Sequence, residues 1–195
     1  MSHRLARTLS ILGHPLVSLP VAALLLAAHG GAGPARLSAL VLGLGAIAAG
    51  VMGYSHWQVR RERWRHVDAS GRGERRSLNR FLLVLFAVAT AAAWAWSPQR
   101  EFALGLALSA LLVAAATLSA RWCKLSLHVA FAMYASVLLL QLSWLACAAG
   151  IAFTAGVAWS RLVLDRHAPR DLVAGAIAGL LAGIAFWRLL PAVAG

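Results

Sequence analysis

Long uncharged runs separated by short basic stretches dominate this chain. Residues 8–35, 37–59, 81–99, 102–120 and 125–160 contain no Asp, Glu, Lys or Arg, and residues 172–187 form a further run. Each of the first five reaches the roughly 18 apolar residues that mark a membrane-spanning helix. The run 125–160 has 36 residues, too many for one span of about 20 and suited to a tight hairpin of two short helices. The pattern therefore predicts an all-α, polytopic transmembrane bundle of about six to seven spans, the third and the last three short. Residues 1–195 read as a single integral membrane domain.

Composition agrees. The chain is 61% apolar and 12% charged, with a mean hydropathy of +0.76, which argues against a soluble protein. Trp57, Trp94, Trp96, Trp122, Trp144, Trp159 and Trp187 fall near segment ends, where amphipathic rings collect, and Trp64 lies in a basic loop. Cys123 and Cys147 make neither a disulfide framework nor a metal spacing. Residues 1–13 are basic and precede an apolar stretch as in a signal peptide, but the run is long and no small-x-small site ends it, so cleavage is not expected.

A net charge of +12 would point to nucleic acid in a soluble protein. Here its distribution points to membrane topology instead. Alternating the loops puts 15 of the 18 Lys and Arg residues on one side, against Arg36, Arg100 and Arg188 on the other. The preference of such residues for cytoplasmic loops then predicts a cytoplasmic N-terminus. The partner expected from this pattern is the lipid bilayer, with no nucleic acid.

Three polar stations interrupt the apolar runs. The first, within the basic loop 57–80, holds eight arginines from Arg60 to Arg80 with Glu62, Asp68 and Glu74, and predicts an interfacial helix on anionic lipid. Its second half, residues 68–79, places turn residues before the pair Arg75-Arg76. Lys124, Ser126 and His128 open the fifth segment, where an intramembrane histidine is a functional candidate. The third station runs from Ser160 to Asp171. There His167 and Asp171 are spaced i,i+4, which stacks them on one face of a helix start. The carboxylate can accept from one ring nitrogen and leave the other as base or nucleophile. Arg161 offers a fork for a phosphate or carboxylate. In the second segment, Gly43, Gly45, Gly50 and Gly53 permit close helix contact.

The chain crosses twice between the first and second stations and twice between the second and third, so all three meet at one membrane surface. The second excursion has so few residues that His128 and His167 are expected below the headgroups, within reach of a lipid phosphate.

Ser160-Arg161, five residues, His167, three residues, Asp171 resembles the third signature of the type-2 phosphatidic acid phosphatase superfamily at every defined position. Ser126 and His128 keep two positions of its second signature, Pro-Ser-Gly-His. Arg75-Arg76 is similar to its first, without the lysine and the proline. The resemblance implies that His167 attacks phosphorus and becomes a phosphohistidine, that Asp171 holds its tautomer, and that His128 protonates the leaving alcohol. It implies that Arg161, Arg75 or Arg76, and Ser126 hold the phosphoryl oxygens, with Lys124 standing for the missing lysine. No cofactor and no metal is implied, because arginines supply the positive charge that phosphoryl transfer needs. Leu127 in place of glycine predicts a different local geometry beside the phosphate.

The leading expectation is a membrane phosphatase acting on a lipid phosphate or isoprenoid diphosphate, in a bacterial inner membrane. A lipid phosphotransferase using the same site is the near alternative. A non-catalytic membrane protein is the distant one, for instance a haem bundle using His14, His56, His128 and His167, although no two of these share a helix at a suitable spacing. No inverted repeat supports a transporter.

Overall fold

The computed structural model describes residues 2–67, 69, 71–96 and 100–194. Among them are eight α-helices and no strand: α1 (Ser2–Leu12), α2 (Pro15–His29), α3 (Pro34–Arg60), α4 (Arg72–Trp96), α5 (Arg100–Leu118), α6 (Leu127–Leu138), α7 (Trp144–Val163) and α8 (Pro169–Ala194). Short 3-10 turns, Ser119–Arg121 and Leu139–Gln141, follow α5 and α6. Residues 97–99, and Asp68 and Ser70 of the basic segment, lie outside the described residues.

Helix ends follow local chemistry. Pro15, Pro34 and Pro169 open α2, α3 and α8, where a missing N–H costs nothing and φ is already helical. At the other ends, Gly31, Glu62 and Asp165 take left-handed φ values of 74°, 55° and 51°. The next amide then reaches back to Ala27, Gln58 and Arg161 respectively. This left-handed stop turns the chain sharply, and in α7 it delivers the backbone from Arg161 to His167.

Among the described residues five helices are long and apolar enough to cross a membrane, α3, α4, α5, α7 and α8, or six spans if the bent pair α1–α2 is one. Their outward residues, such as Leu42, Val84, Leu111, Ile177 and Leu181, are exposed, an apolar exterior that only lipid satisfies. The protein is an integral membrane helical bundle. Several expected boundaries shift. Residues 8–35 are not one straight span, because the chain breaks at Gly13-His14 into α1 and α2, bent by 55°. The cause is local: His14 caps α2, its Nδ1 accepting the Leu16 N–H at 3.2 Å, and Pro15 cannot continue a helix from α1. The run 125–160 is a hairpin as expected, but an unequal one. α6 has 12 residues and α7 has 20, while α4 and α8 are full length, with 25 and 26 residues.

The short helix is the central one. α6 packs against α2, α5, α7 and α8 and buries nine of its residues, so its length is not set by the thickness of lipid. Phe131, Tyr134 and Leu138 join Leu104, Leu108, Leu112, Val113 and Phe186 in the main core. Val129 and Ala132 meet Val157 and Leu172 in a second cluster, where α6, α7 and α8 converge. Close approach of α8 to α6 depends on Gly175, Gly179 and Gly183. A Cβ at these positions would stand 2.6 Å from the Ser126 oxygen, 2.2 Å from the Ala130 oxygen and 2.5 Å from Val137 Cβ. The glycines of α3 do no such work: Gly45 and Gly53 meet nothing within 4 Å, and Gly43 and Gly50 make only ordinary contacts.

The basic segment also differs from expectation. α3 continues to Arg60, α4 begins at Arg72, and the stretch between them is not an interfacial helix. Trp64 is buried there, edge-on to Tyr54 at 5.6 Å. Glu74 fastens the segment to α4, its carboxylate accepting the Arg65 and Gly71 amides at 2.8 and 2.7 Å. Tucking the tryptophan inward removes the apolar face that an interfacial helix would present to lipid. Trp57, Trp94, Trp122, Trp144 and Trp159 are exposed, as interfacial rings should be, whereas the Trp187 indole turns inward and donates to the Val137 carbonyl at 3.1 Å.

Candidate active site

One end of the bundle gathers the loop after α5, the N-terminus of α6, the C-terminus of α7, the N-terminus of α8 and the α1–α2 break. Asp171, the third residue of α8, joins these pieces. Its Oδ2 accepts the Ala168 N–H at 3.2 Å, the return half of a capping box. Its Oδ1 accepts the Lys124 N–H at 3.0 Å and the Cys123 thiol at 3.3 Å. Its carbonyl accepts the Ser126 N–H at 3.1 Å. A single residue thus ties the segment 123–126 to the start of α8. Burial pushes the Cys123 thiol up, with the Asp171 hydrogen bond adding to it, so sulfur stays a neutral donor.

His167 completes the tie from the other side. Its Nδ1 lies 3.0 Å from the Lys124 carbonyl and 3.6 Å from Asp171 Oδ2. A carbonyl only accepts, so Nδ1 carries the proton and Nε2 keeps its lone pair. The tautomer is therefore fixed by a backbone oxygen, with the Asp171 carboxylate farther off than a hydrogen bond. Burial, then the charges of Lys124 and Arg161, push the His167 imidazole down to about 4. The ring is neutral at physiological pH.

The remaining residues cluster with differing roles. Lys124 Nζ donates to the Arg166 carbonyl at 2.6 Å, bracing the turn before His167, and burial followed by Arg75 lowers its affinity for a proton. Arg161 Nη1 donates to Ser10 Oγ at 2.6 Å. Ser126 is buried and caps the backbone of α6 without a side-chain bond; its Oγ has no partner among the described residues. Leaving a buried hydroxyl so costs about 1–3 kcal/mol, a cost that a ligand oxygen would remove. His128, on the first turn of α6, lies with its ring 5.0 Å from that of His14, nearly perpendicular at 88°.

The Arg75-Arg76 pair divides. Arg75 lies within electrostatic range of Lys124 and Asp171, whereas Arg76 lines a separate groove of about 420 Å³ with Tyr54, Ser77, Arg80, Phe81 and Val84. Neighbours on a helix point about 100° apart, and only one can face the site. Leu127 packs half-buried against the main core, so its bulk is taken up there and does not fill the space beside Ser126.

Sequence reasoning missed Ser10 and weighed His14 only as a haem ligand, not as a neighbour of His128. The signal was His14 immediately before Pro15, a cap followed by a favoured first helical residue, which splits the first apolar run.

The arrangement has several cations, a neutral histidine with a fixed lone pair, a buried unpartnered hydroxyl and a carboxylate whose oxygens are spent on backbone amides. Such a site attracts an anion with tetrahedral oxygens and can attack it. No curated protein and no solved structure matches the chain. Residues 122–194, which carry Lys124, Ser126, His128, Arg161, His167 and Asp171, match the model of the PAP2 superfamily, so this segment is similar to the type-2 phosphatidic acid phosphatase superfamily.

Proposed function

We propose that the protein hydrolyses the phosphomonoester or diphosphate of a membrane lipid through a phosphohistidine on His167. The observation that carries the reading is the Nδ1 bond to the Lys124 carbonyl at 3.0 Å, which leaves Nε2 as the nucleophile. In the first step the Nε2 lone pair forms a bond to phosphorus while the bond to the leaving oxygen breaks. His128 gives that oxygen a proton, so the alcohol leaves neutral. Arg161, Arg75 and the Ser126 hydroxyl bind the phosphoryl oxygens, whose charge is spread through the transition state. In the second step water attacks phosphorus, the P–N bond breaks, and His128 takes the water's proton. Lys124 supports the loop and adds charge. Arg76, facing its own groove, has no part in this reading.

A lipid substrate follows from the setting, an anion site at the end of an integral membrane bundle. The test is phosphate release by purified protein from a panel of lipid phosphates and diphosphates, with and without chelator. It is joined to acid-quench trapping of the phosphoenzyme. Release of phosphate with label on His167, lost in His167→Ala and His167→Asn, is the expected result. Label on another residue would refute the nucleophile, and transfer to a second lipid without release would make the protein a phosphotransferase.

A further inference from the structure

The α1–α2 break touches the phosphate site at two points. α1 lies against α7: Ala6 is fully buried, and a Cβ on Gly156 would stand 3.6 Å from Leu9 Cδ1. Gly13 passes so near Val157 that a Cβ there would stand 2.4 Å from Val157 Cγ2. Residues 6, 9, 10 and 13 share one helical face, and Ser10 on that face reaches Arg161, one turn beyond Val157. Its Oγ accepts from Nη1 at 2.6 Å, a bond that helps fix the plane of the guanidinium. Four residues later His14 caps α2 through Nδ1. With Nδ1 accepting, the neutral ring carries its proton on Nε2 and its plane is set by the cap, and in that plane it meets the His128 ring edge-to-face.

We propose that Ser10 and His14 are positioning residues of the phosphate site, Ser10 aiming the Arg161 fork at the phosphoryl oxygens and His14 holding the His128 ring for proton transfer. The inference rests on the site proposed above. It gives the N-terminal helix, outside the segment that matches the family, a share in substrate handling. The two contacts act on different steps: an aimed arginine sets anion affinity, and an oriented histidine sets leaving-group protonation.

Three variants separate the roles. Ser10→Ala deletes the acceptor at a helix position where alanine folds better than serine. Ser10→Thr restores a hydroxyl. His14→Asn keeps a side-chain oxygen for the Leu16 amide, since asparagine is a strong N-cap, but removes the ring. The affinity of the purified protein for inorganic phosphate is measured by titration, and kcat and KM are measured on an alkyl lipid phosphate and an aryl phosphate, with thermal unfolding recorded alongside. Ser10→Ala is expected to weaken phosphate binding about tenfold, the scale of one lost charge-assisted hydrogen bond, and Ser10→Thr to recover it. His14→Asn is expected to lower kcat/KM on the alkyl phosphate about tenfold while leaving phosphate affinity, kcat/KM on the aryl phosphate and the unfolding midpoint near wild type. Unchanged phosphate affinity in Ser10→Ala overturns the first half, and equal losses on both substrates in His14→Asn overturn the second. The binding arm needs no turnover. A wild type that binds phosphate through Ser10 yet hydrolyses no lipid phosphate would sink the hydrolase reading and keep the Ser10 assignment. An active wild type whose variants behave as wild type would do the reverse.

Discussion

His167 is held so that one nitrogen is spent on the backbone and the other keeps its lone pair. Its imidazole sits near 4 against an ordinary 6.5. As pH falls from 6.5 toward 4, the unfolded chain takes up the proton first, so the fold loses stability across that window and shows no such dependence above it. Thermal midpoints of the wild type should therefore drop between those pH values, and His167→Gln should flatten the slope; a slope identical in both proteins would show that another group titrates. Asp171→Asn puts an amide N–H₂ where a carboxylate oxygen accepts, either toward the Lys124 and Cys123 donors or toward Ala168 and His167. We expect turnover to fall on the order of 10²-fold, as for other partners that support a functional histidine, with a less stable fold because capping bonds go with it. Full activity would limit Asp171 to closing a helix end. The nearness of His167 and Asp171 was legible in the i,i+4 spacing and is found at 3.6 Å, although His167 lies in the turn before α8 and not on its first turn. The Lys124 carbonyl was not legible: it arrives from 43 residues away, and a backbone acceptor leaves no mark on residue identity.

α6 and α8 are held together by shape. Gly175, Gly179 and Gly183 recur every fourth residue and let α8 lie on the backbone of α6, where packing replaces the hydrophobic effect as the source of association. Gly179→Ala, whose Cβ would meet the Ala130 oxygen at 2.2 Å, should cost about 1–3 kcal/mol and reduce activity by moving Asp171 away from Lys124. Gly45→Ala in α3, with nothing within 4 Å, should be neutral or gain up to about 1 kcal/mol; thermal unfolding of the two in the same detergent compares them, and equal losses would contradict the seam. Glycine spacing was visible in both helices, but sequence does not say which face meets a neighbour, and the expectation fell on α3. Span lengths were misjudged for a related reason. Charged and proline residues at 169–171 are drawn into α8 by the capping bonds of Asp171, whereas an apolar-run reading stops at the first charge.

Across the whole molecule, the meeting of the second and third stations at one end followed from counting crossings, and the bundle brings them together; among the described residues five helices, or six spans with the bent α1–α2 pair, are long and apolar enough to cross, against the six to seven expected. The broken first helix did not follow, because His14 and Pro15 read as apolar-run residues until the cap is seen. The sidedness of that end is a separate matter, argued from charge: 15 cationic residues against Arg36, Arg100 and Arg188 favour a cytoplasmic site. Single cysteines at Gly73 and Gly33, both with open space around them, in a background lacking Cys123 and Cys147, test it in intact cells. A membrane-impermeant thiol reagent should modify position 33 and spare position 73; the opposite pattern would place the site outside. The tie made by Asp171 has one more consequence, in the order of biosynthesis. A nascent chain that has threaded α1 to α7 already owns Ser126, His128 and Arg161, but His167 follows only in the turn before α8, and Asp171, which fastens the 123–126 segment, comes with α8 itself. On the function proposed above, the site therefore stays unassembled until α8 has been made, and a chain that stops short of α8 is expected to release no phosphate.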